Sequence, residues 1–187
     1  MATGDRGLSE FTVKEATNLI AQRKVIRVTP TLDAGTAYAD NEVLFNSTEI
    51  PNAVLSPGGC SKLERITIYN HKDTTCDMDL VFTENQANLG TLNSAVASGS
   101  LWTEALVKAA GVLGAISVDV SATEIDLING LLAQGAVKGT VAYDNLSQGM
   151  FLQAAAGSTS AYFAGIDRTG GIDFGADDLE FIFHIEY

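Results

Sequence analysis

Apolar residues fill every second position from Leu179 to Tyr187, where Leu179, Phe181, Phe183, Ile185 and Tyr187 alternate with Glu180, Ile182, His184 and Glu186. Only an extended strand places the first set on one face. This segment is therefore expected to bury one side and wet the other, with the C-terminal residues built into a sheet. The same period returns over 112–120, where Val112, Ile116, Val118 and Val120 share a face with Gly114 while Ser117 and Asp119 oppose them. Further strands are expected over 25–32, 42–45, 63–69, 78–82, 138–142, 150–154 and 161–167, with a short one at 125–128. Turn residues punctuate the gaps: Ser56-Pro57-Gly58-Gly59, Asp144-Asn145, Ala156-Gly157-Ser158 and Thr169-Gly170-Gly171. Short strands separated by such clusters, with no alternating helices, predict an all-β antiparallel sandwich. With roughly eight to ten strands, its leading form is jelly-roll-like.

Two segments carry the helical period instead. Thr12-Val13-Lys14-Glu15 has the spacing of a capping box, in which the threonine hydroxyl and the glutamate carboxylate each satisfy a backbone N–H. Val13, Ala16 and Ile20 follow along one stripe beside Leu19, and Arg23 and Lys24 fall where the negative end of the helix dipole favours them. A helix of about twelve residues is marginal alone, so it must pack on its own sandwich or on a partner. The expected organisation is thus an N-terminal helical arm, residues 1–24, followed by a β-sandwich over 25–187. A second helical turn is expected over 101–110, opened by Ser100, with Trp102, Ala105, Leu106 and Ala109 capping one end of the sandwich or, for Trp102, offering a sugar platform.

The 187 residues, 46% of them apolar, suffice for one domain with its own core. Two cysteines, Cys60 and Cys76, are too few for a disulfide framework. Met1 to Arg6 leads into polar sequence, so no secretory signal is expected and the thiols should be reduced in a cytoplasm. The sequons at Asn46 and Asn145 then lack a route to glycosylation. No apolar run reaches the roughly eighteen residues of a membrane helix, and no membrane partner is expected. Charge divides unevenly. Residues 1–27 hold five basic and three acidic side chains, a net of +2, and the rest hold 6 and 20, a net of −14, together the −12 of the whole. Such a body repels phosphates, so nucleic acid is not an expected partner. The acidity serves solubility, or else it sets a basic arm against an acidic surface; Arg6, Lys14, Arg23 and Lys24 are the candidate contacts on the second reading.

Reactive chemistry is sparsely represented. The sequence holds no Gly-x-x-x-x-Gly-Lys-Ser/Thr loop, no Gly-x-Ser-x-Gly elbow and no His-Glu-x-x-His helix. With only His71 and His184, acid–base work would rest on carboxylates, and no catalytic residue or cofactor is assigned. Cys60, His71 and Cys76 are a remote zinc candidate whose spacing matches no standard knuckle. Asp73, Asp77 and Asp79 form an acidic loop, solvated or closing on a hard cation such as calcium; Asp167, Asp173, Asp177 and Asp178 pose the same question around Gly170.

Several stretches carry a resemblance. Thr29-Pro30-Thr31-Leu32-Asp33, then Tyr38-Ala39-Asp40-Asn41-Glu42-Val43-Leu44-Phe45 and Thr48-Glu49-Ile50-Pro51-Asn52-Ala53-Val54, resemble small structural proteins of tailed bacteriophages, especially those of marine and cyanobacterial hosts. Leu80-Val81-Phe82, Leu89-Gly90-Thr91-Leu92-Asn93-Ser94-Ala95 and the run from Ala156 to Arg168 are similar in type and order. The resemblance spans about residues 28 to 187 and involves no reactive group; residues 1–27 depart from it. It implies a non-enzymatic decoration, or cement, protein on the exterior of a phage capsid, made in the bacterial cytoplasm, with the major capsid protein as partner and a homotrimer as first stoichiometry. The alternative is a receptor- or glycan-binding module of a tail fibre, and a glycosidase is a distant third.

Overall fold

The computed structural model describes residues 22–72, 74–96, 104–118 and 149–187, and the backbone of 124–126 and 131–136. The described residues are mostly β, with ten strands and one short helix. The elements are β1 (Arg23–Val28), β2 (Val43–Ile50), β3 (Cys60–Asn70), β4 (Met78–Thr83), α1 (Glu104–Ala110), β5 (Val112–Val118), β6 (Glu124–Asp126), β7 (Leu131–Ala136), β8 (Met150–Gln153), β9 (Ala161–Asp167) and β10 (Leu179–Glu186). They form two antiparallel sheets. One runs β1-β10-β3, and the far edge of β3 is shared by β8, along Cys60–Leu63, and by β7, along Arg65–Asn70, with β6 beyond β7. The other runs β2-β9-β4-β5.

The sheets pack face to face because each supplies an apolar side to one core. Leu179, Phe181, Phe183 and Ile185 are buried and their neighbours Glu180, Ile182, His184 and Glu186 are half-buried, the alternation expected of this strand. Phe163 of β9 sits at the centre, with ring centroids 4.9 Å from Phe183, 5.1 Å from Phe181 and 5.1 Å from Phe45. Edge-to-face rings at these separations add to the area they bury. The backs of the two sheets differ. Val43, Ala164 and Ile166 on the outside of β2-β9-β4-β5 are covered by Leu89, Leu92 and Val96, and Asn46 pins this loop by accepting from Leu89 N–H at 3.0 Å and donating to the Gly90 carbonyl at 2.8 Å. The back of β1-β10-β3 mixes charged side chains, Arg23, Arg27, Lys62, Glu64, Arg65, Glu180 and Glu186, with Val25 and Ile182.

Several boundaries differ from the periodic reading. Strand β1 starts at Arg23 and stops at Val28, since Pro30 supplies no N–H and restricts the residue before it. The sandwich therefore begins two residues before the expected boundary at 25. Strand β2 runs on to Ile50 although Asn46-Ser47-Thr48 is polar; two register shifts against β9 break its alternation. In β5 a shift between Phe82 and Thr83 puts Val112 at 40% exposure and turns Leu113 toward the core, contrary to the face expected for Val112. The helical turn expected over 101–110 is α1, but Ala105, Leu106 and Ala109 are exposed and Ala110 is its buried residue, so those three do not cap the sandwich; Trp102 lies outside the described residues, as do the arm helix and the strand expected over 138–142.

Candidate functional site

Strand β3 shows how the exposed face is built. Ser61 and Leu63 are buried at odd positions, Ile66, Ile68 and Asn70 at even ones, so one residue must be skipped between them. The register shift opposite His184 and Ile185 does this: His184 faces Arg65 and Ile185 faces Leu63, leaving Glu64 as a bulge. Glu64 and Arg65 consequently stand side by side at the surface. Glu64 lies 3.6 Å from Arg23 of β1 and 3.9 Å from Lys62, while Arg27 meets Glu180 of β10 at 2.8 Å. A shallow groove of about 300 Å3 runs among Arg23, Lys24, Val25, Glu64, Arg65 and His184.

Basic side chains outnumber acidic ones along this groove, Arg23, Lys24 and Arg65 against Glu64. Nine of the chain's eleven basic residues lie from Arg23 onward, and five of them, Arg23, Lys24, Arg27, Lys62 and Arg65, fall on β1 and β3. His184 Nε2 lies 3.4 Å from both the Arg65 guanidinium and Thr67 Oγ1. A guanidinium only donates, so Nε2 acts as acceptor and the imidazole is neutral. Burial first, and Arg65 second, hold its pKa below the usual histidine value, against a weaker opposite pull from Glu64. Val25 and Phe151, 55% and 71% exposed, add apolar surface to β1 and β8.

Among the expected contact residues, Arg23 and Lys24 line this groove, whereas Arg6 and Lys14 lie outside the described residues. The positive charge ascribed to the arm belongs to the sheet. Arg23, Lys24 and Arg27 are all in β1, and residues 1–21 hold Arg6 and Lys14 against Asp5, Glu10 and Glu15. Arg27, Lys62, Arg65 and His184 were not singled out by sequence as contacts. No short-range pattern joins them, because β10 and β3 bring them to β1 from distant parts of the chain. No protein-family model, curated protein or solved structure matches this chain.

The other candidates resolve into local structure. Asp79 accepts from Ser117 Oγ at 2.5 Å and lies 3.5 Å from Arg168, and Asp73 is outside the described residues. Asp167 is fully buried, where its carboxylate accepts from the N–H groups of Thr169 and Gly170 at 3.0 and 3.1 Å and ties down that turn. Asp178 does the same for Gly175. The Cys76 thiol points at Asp167 from 3.7 Å, and burial together with that carboxylate pushes it well above the ordinary thiol range, while Cys60 is exposed. His71 packs edge-on to Tyr69. Among the described residues no three metal-ligating side chains gather, and no helix is long and apolar enough to cross a membrane.

Proposed function

We propose that the chain is a non-enzymatic decoration protein of a tailed-phage capsid, a jelly-roll sandwich that binds the outside of the major capsid shell and braces it. The fold part of this reading is supported by strand order. Setting aside the β6-β7 hairpin and numbering the remaining eight strands in chain order, the antiparallel pairs are first with eighth, second with seventh, third with sixth and fourth with fifth. Eighth with third and seventh with fourth complete the two sheets. A ribbon of four such pairs rolled up gives a jelly roll, an architecture used by viral capsid proteins among others. Fold alone does not select a function.

The observation that carries the functional part is the asymmetry of the two outer faces: one sheet is covered by its own loop, and the other displays Arg23, Arg27, Lys62 and Arg65 among Glu64, Glu180 and Glu186, on a protein of net charge −12. A face on which basic side chains outnumber acidic ones, four to three, on an otherwise acidic body suits an acidic protein surface and orients the molecule toward it. Arg23 and Lys24 are contacts in this reading. The N-terminal helical arm, with Arg6, Lys14 and the stripe of Val13, Ala16 and Ile20, adds apolar burial beside them, and a homotrimer is the proposed stoichiometry. The reading is tested by incubating the purified full chain with empty phage heads. Saturable binding that weakens as salt rises is the expected result. Retention on tails but not heads would favour the tail-fibre alternative, and absence of binding to either would remove the virion role.

A further inference from the structure

Strand β1 lies at the margin of its sheet: β10 pairs one side of it, and no strand among the described residues pairs the other. Tyr187 N–H donates to the Gln22 carbonyl at 3.0 Å, which fixes the phase of the ladder. Lys24, Ile26 and Val28 exchange hydrogen bonds with Ile185, Phe183 and Phe181, so Arg23, Val25 and Arg27 turn their N–H and C=O groups away from β10. The same three residues carry the exposed side chains, with Arg23, Arg27 and Val25 exposed by 71%, 63% and 55%. Backbone groups with no partner among the described residues and a charge pattern therefore coincide on one edge.

This edge is unsuited to pairing with its own kind. A second copy laid antiparallel about Val25 would set Arg23 opposite the other copy's Arg27, and like charges directly opposite destabilise a strand pair. An acidic strand meets the reverse situation. Glu64 and Glu180 approach the two guanidinium groups from the β3 and β10 side, which leaves donors of each fork for a carboxylate arriving at the edge. We propose that the β1 edge receives an extended acidic segment of a partner protein as an added strand, with carboxylates facing Arg23 and Arg27 and an apolar side chain facing Val25. Backbone hydrogen bonds would supply the affinity and the alternate side chains the selectivity. The proposal holds for any partner bearing such a segment and does not require a capsid.

The test uses the isotopically labelled full chain and a synthetic peptide in which glutamate, valine and glutamate alternate with threonine. Slower amide exchange is expected at Arg23, Val25 and Arg27, and little change at Lys24 and Ile26, whose N–H groups are already paired. Methylating the peptide nitrogens that face β1 should weaken binding about tenfold, as should Val25→Pro, which deletes an N–H that β10 does not use. A methylated peptide that binds as tightly as its parent would overturn the proposal, and so would protection centred elsewhere or absence of binding. Tighter binding of an oligothymidylate of equal charge would assign the face to nucleic acid instead. If Val25→Pro unfolds the chain, the comparison of the two peptides decides alone. Because no phage head enters this experiment, its outcome is independent of the capsid-binding test.

Discussion

Gly165 of β9 lies directly across from Phe45 of β2, and the phenyl ring occupies the space where a side chain on Gly165 would begin: an added Cβ would fall within the ring's van der Waals envelope. Glycine is required here for space, and no turn or unusual backbone angle is involved. Gly165→Ala must displace a ring that also packs on Phe163 and Phe181, at 5.1 and 5.2 Å. A loss of about 1–3 kcal/mol is expected in denaturant unfolding. An unchanged midpoint would mean that Phe45 has another place to go.

The C-terminal strand gives a sharper contrast. Phe183 is fully buried against Phe163 and Phe82, so Phe183→Ala should cost about 3–5 kcal/mol. Glu186→Ala, on the opposite face, should stay within about 0.5 kcal/mol. Melts that reversed this order would place the strand one residue out of register.

The strands legible in sequence were those whose alternation is unbroken. Residues 179–186 needed only period two, and the faces of β10 followed from it. Reading faltered wherever a bulge reset the phase, as in β2, at Glu64 of β3 and at Val112 of β5, because an extra residue transfers everything beyond it to the other face. Strand β7, Leu-Leu-Ala-Gln-Gly-Ala, gave neither alternation nor β-branched residues, and its pairing with β3 determines it. The candidate site was half legible for a related reason. Charge drew attention to Arg23 and Lys24, but it credited them to a separate arm. The salt bridge of Arg27 to Glu180, 153 positions away, exists only through strand pairing.

Histidine 184 should report the state of the basic face. Its folded pKa lies below 6.5, chiefly through burial and secondarily through Arg65, so the unfolded chain binds the extra proton first as pH falls. The corresponding stability is complete above 6.5 and is lost as pH drops from there through the folded value. An NMR titration should find the His184 ring titrating below 6.5, and Arg65→Gln should move that midpoint upward without bringing it fully to 6.5, since burial persists. A midpoint unmoved by the substitution would disconnect the two side chains.

The two thiols should separate cleanly. Cys60 is exposed, whereas Cys76 is buried beside the Asp167 carboxylate, which disfavours the reactive thiolate. A thiol reagent should label one cysteine in the native protein and both in guanidinium, and mass spectrometry should place the native label on Cys60. Native labelling of Cys76 would show that the turn held by Asp167 opens readily.

The arm and the sheet make different predictions for capsid binding, and a pair of variants distinguishes them. The ladder to β10 reaches back to Gln22, so a chain beginning at Gln22 keeps every pairing of β1 among the described residues and should fold and melt like the full protein. It loses Arg6 and Lys14 but also Asp5, Glu10 and Glu15, so its charge becomes slightly less negative. Binding to empty heads should therefore weaken, through the missing apolar stripe of Val13, Ala16 and Ile20, while its dependence on salt stays as steep as before. Reversing Arg23 and Arg27 to glutamate should do the opposite. Those side chains are exposed and each meets one carboxylate, so folding should suffer by no more than about 1 kcal/mol per lost pair. The salt dependence should flatten with the charges that caused it. If the truncated chain instead lost its salt dependence and the reversed chain kept it, the attraction would reside in Arg6 and Lys14 and the face of β1 would have no part in it.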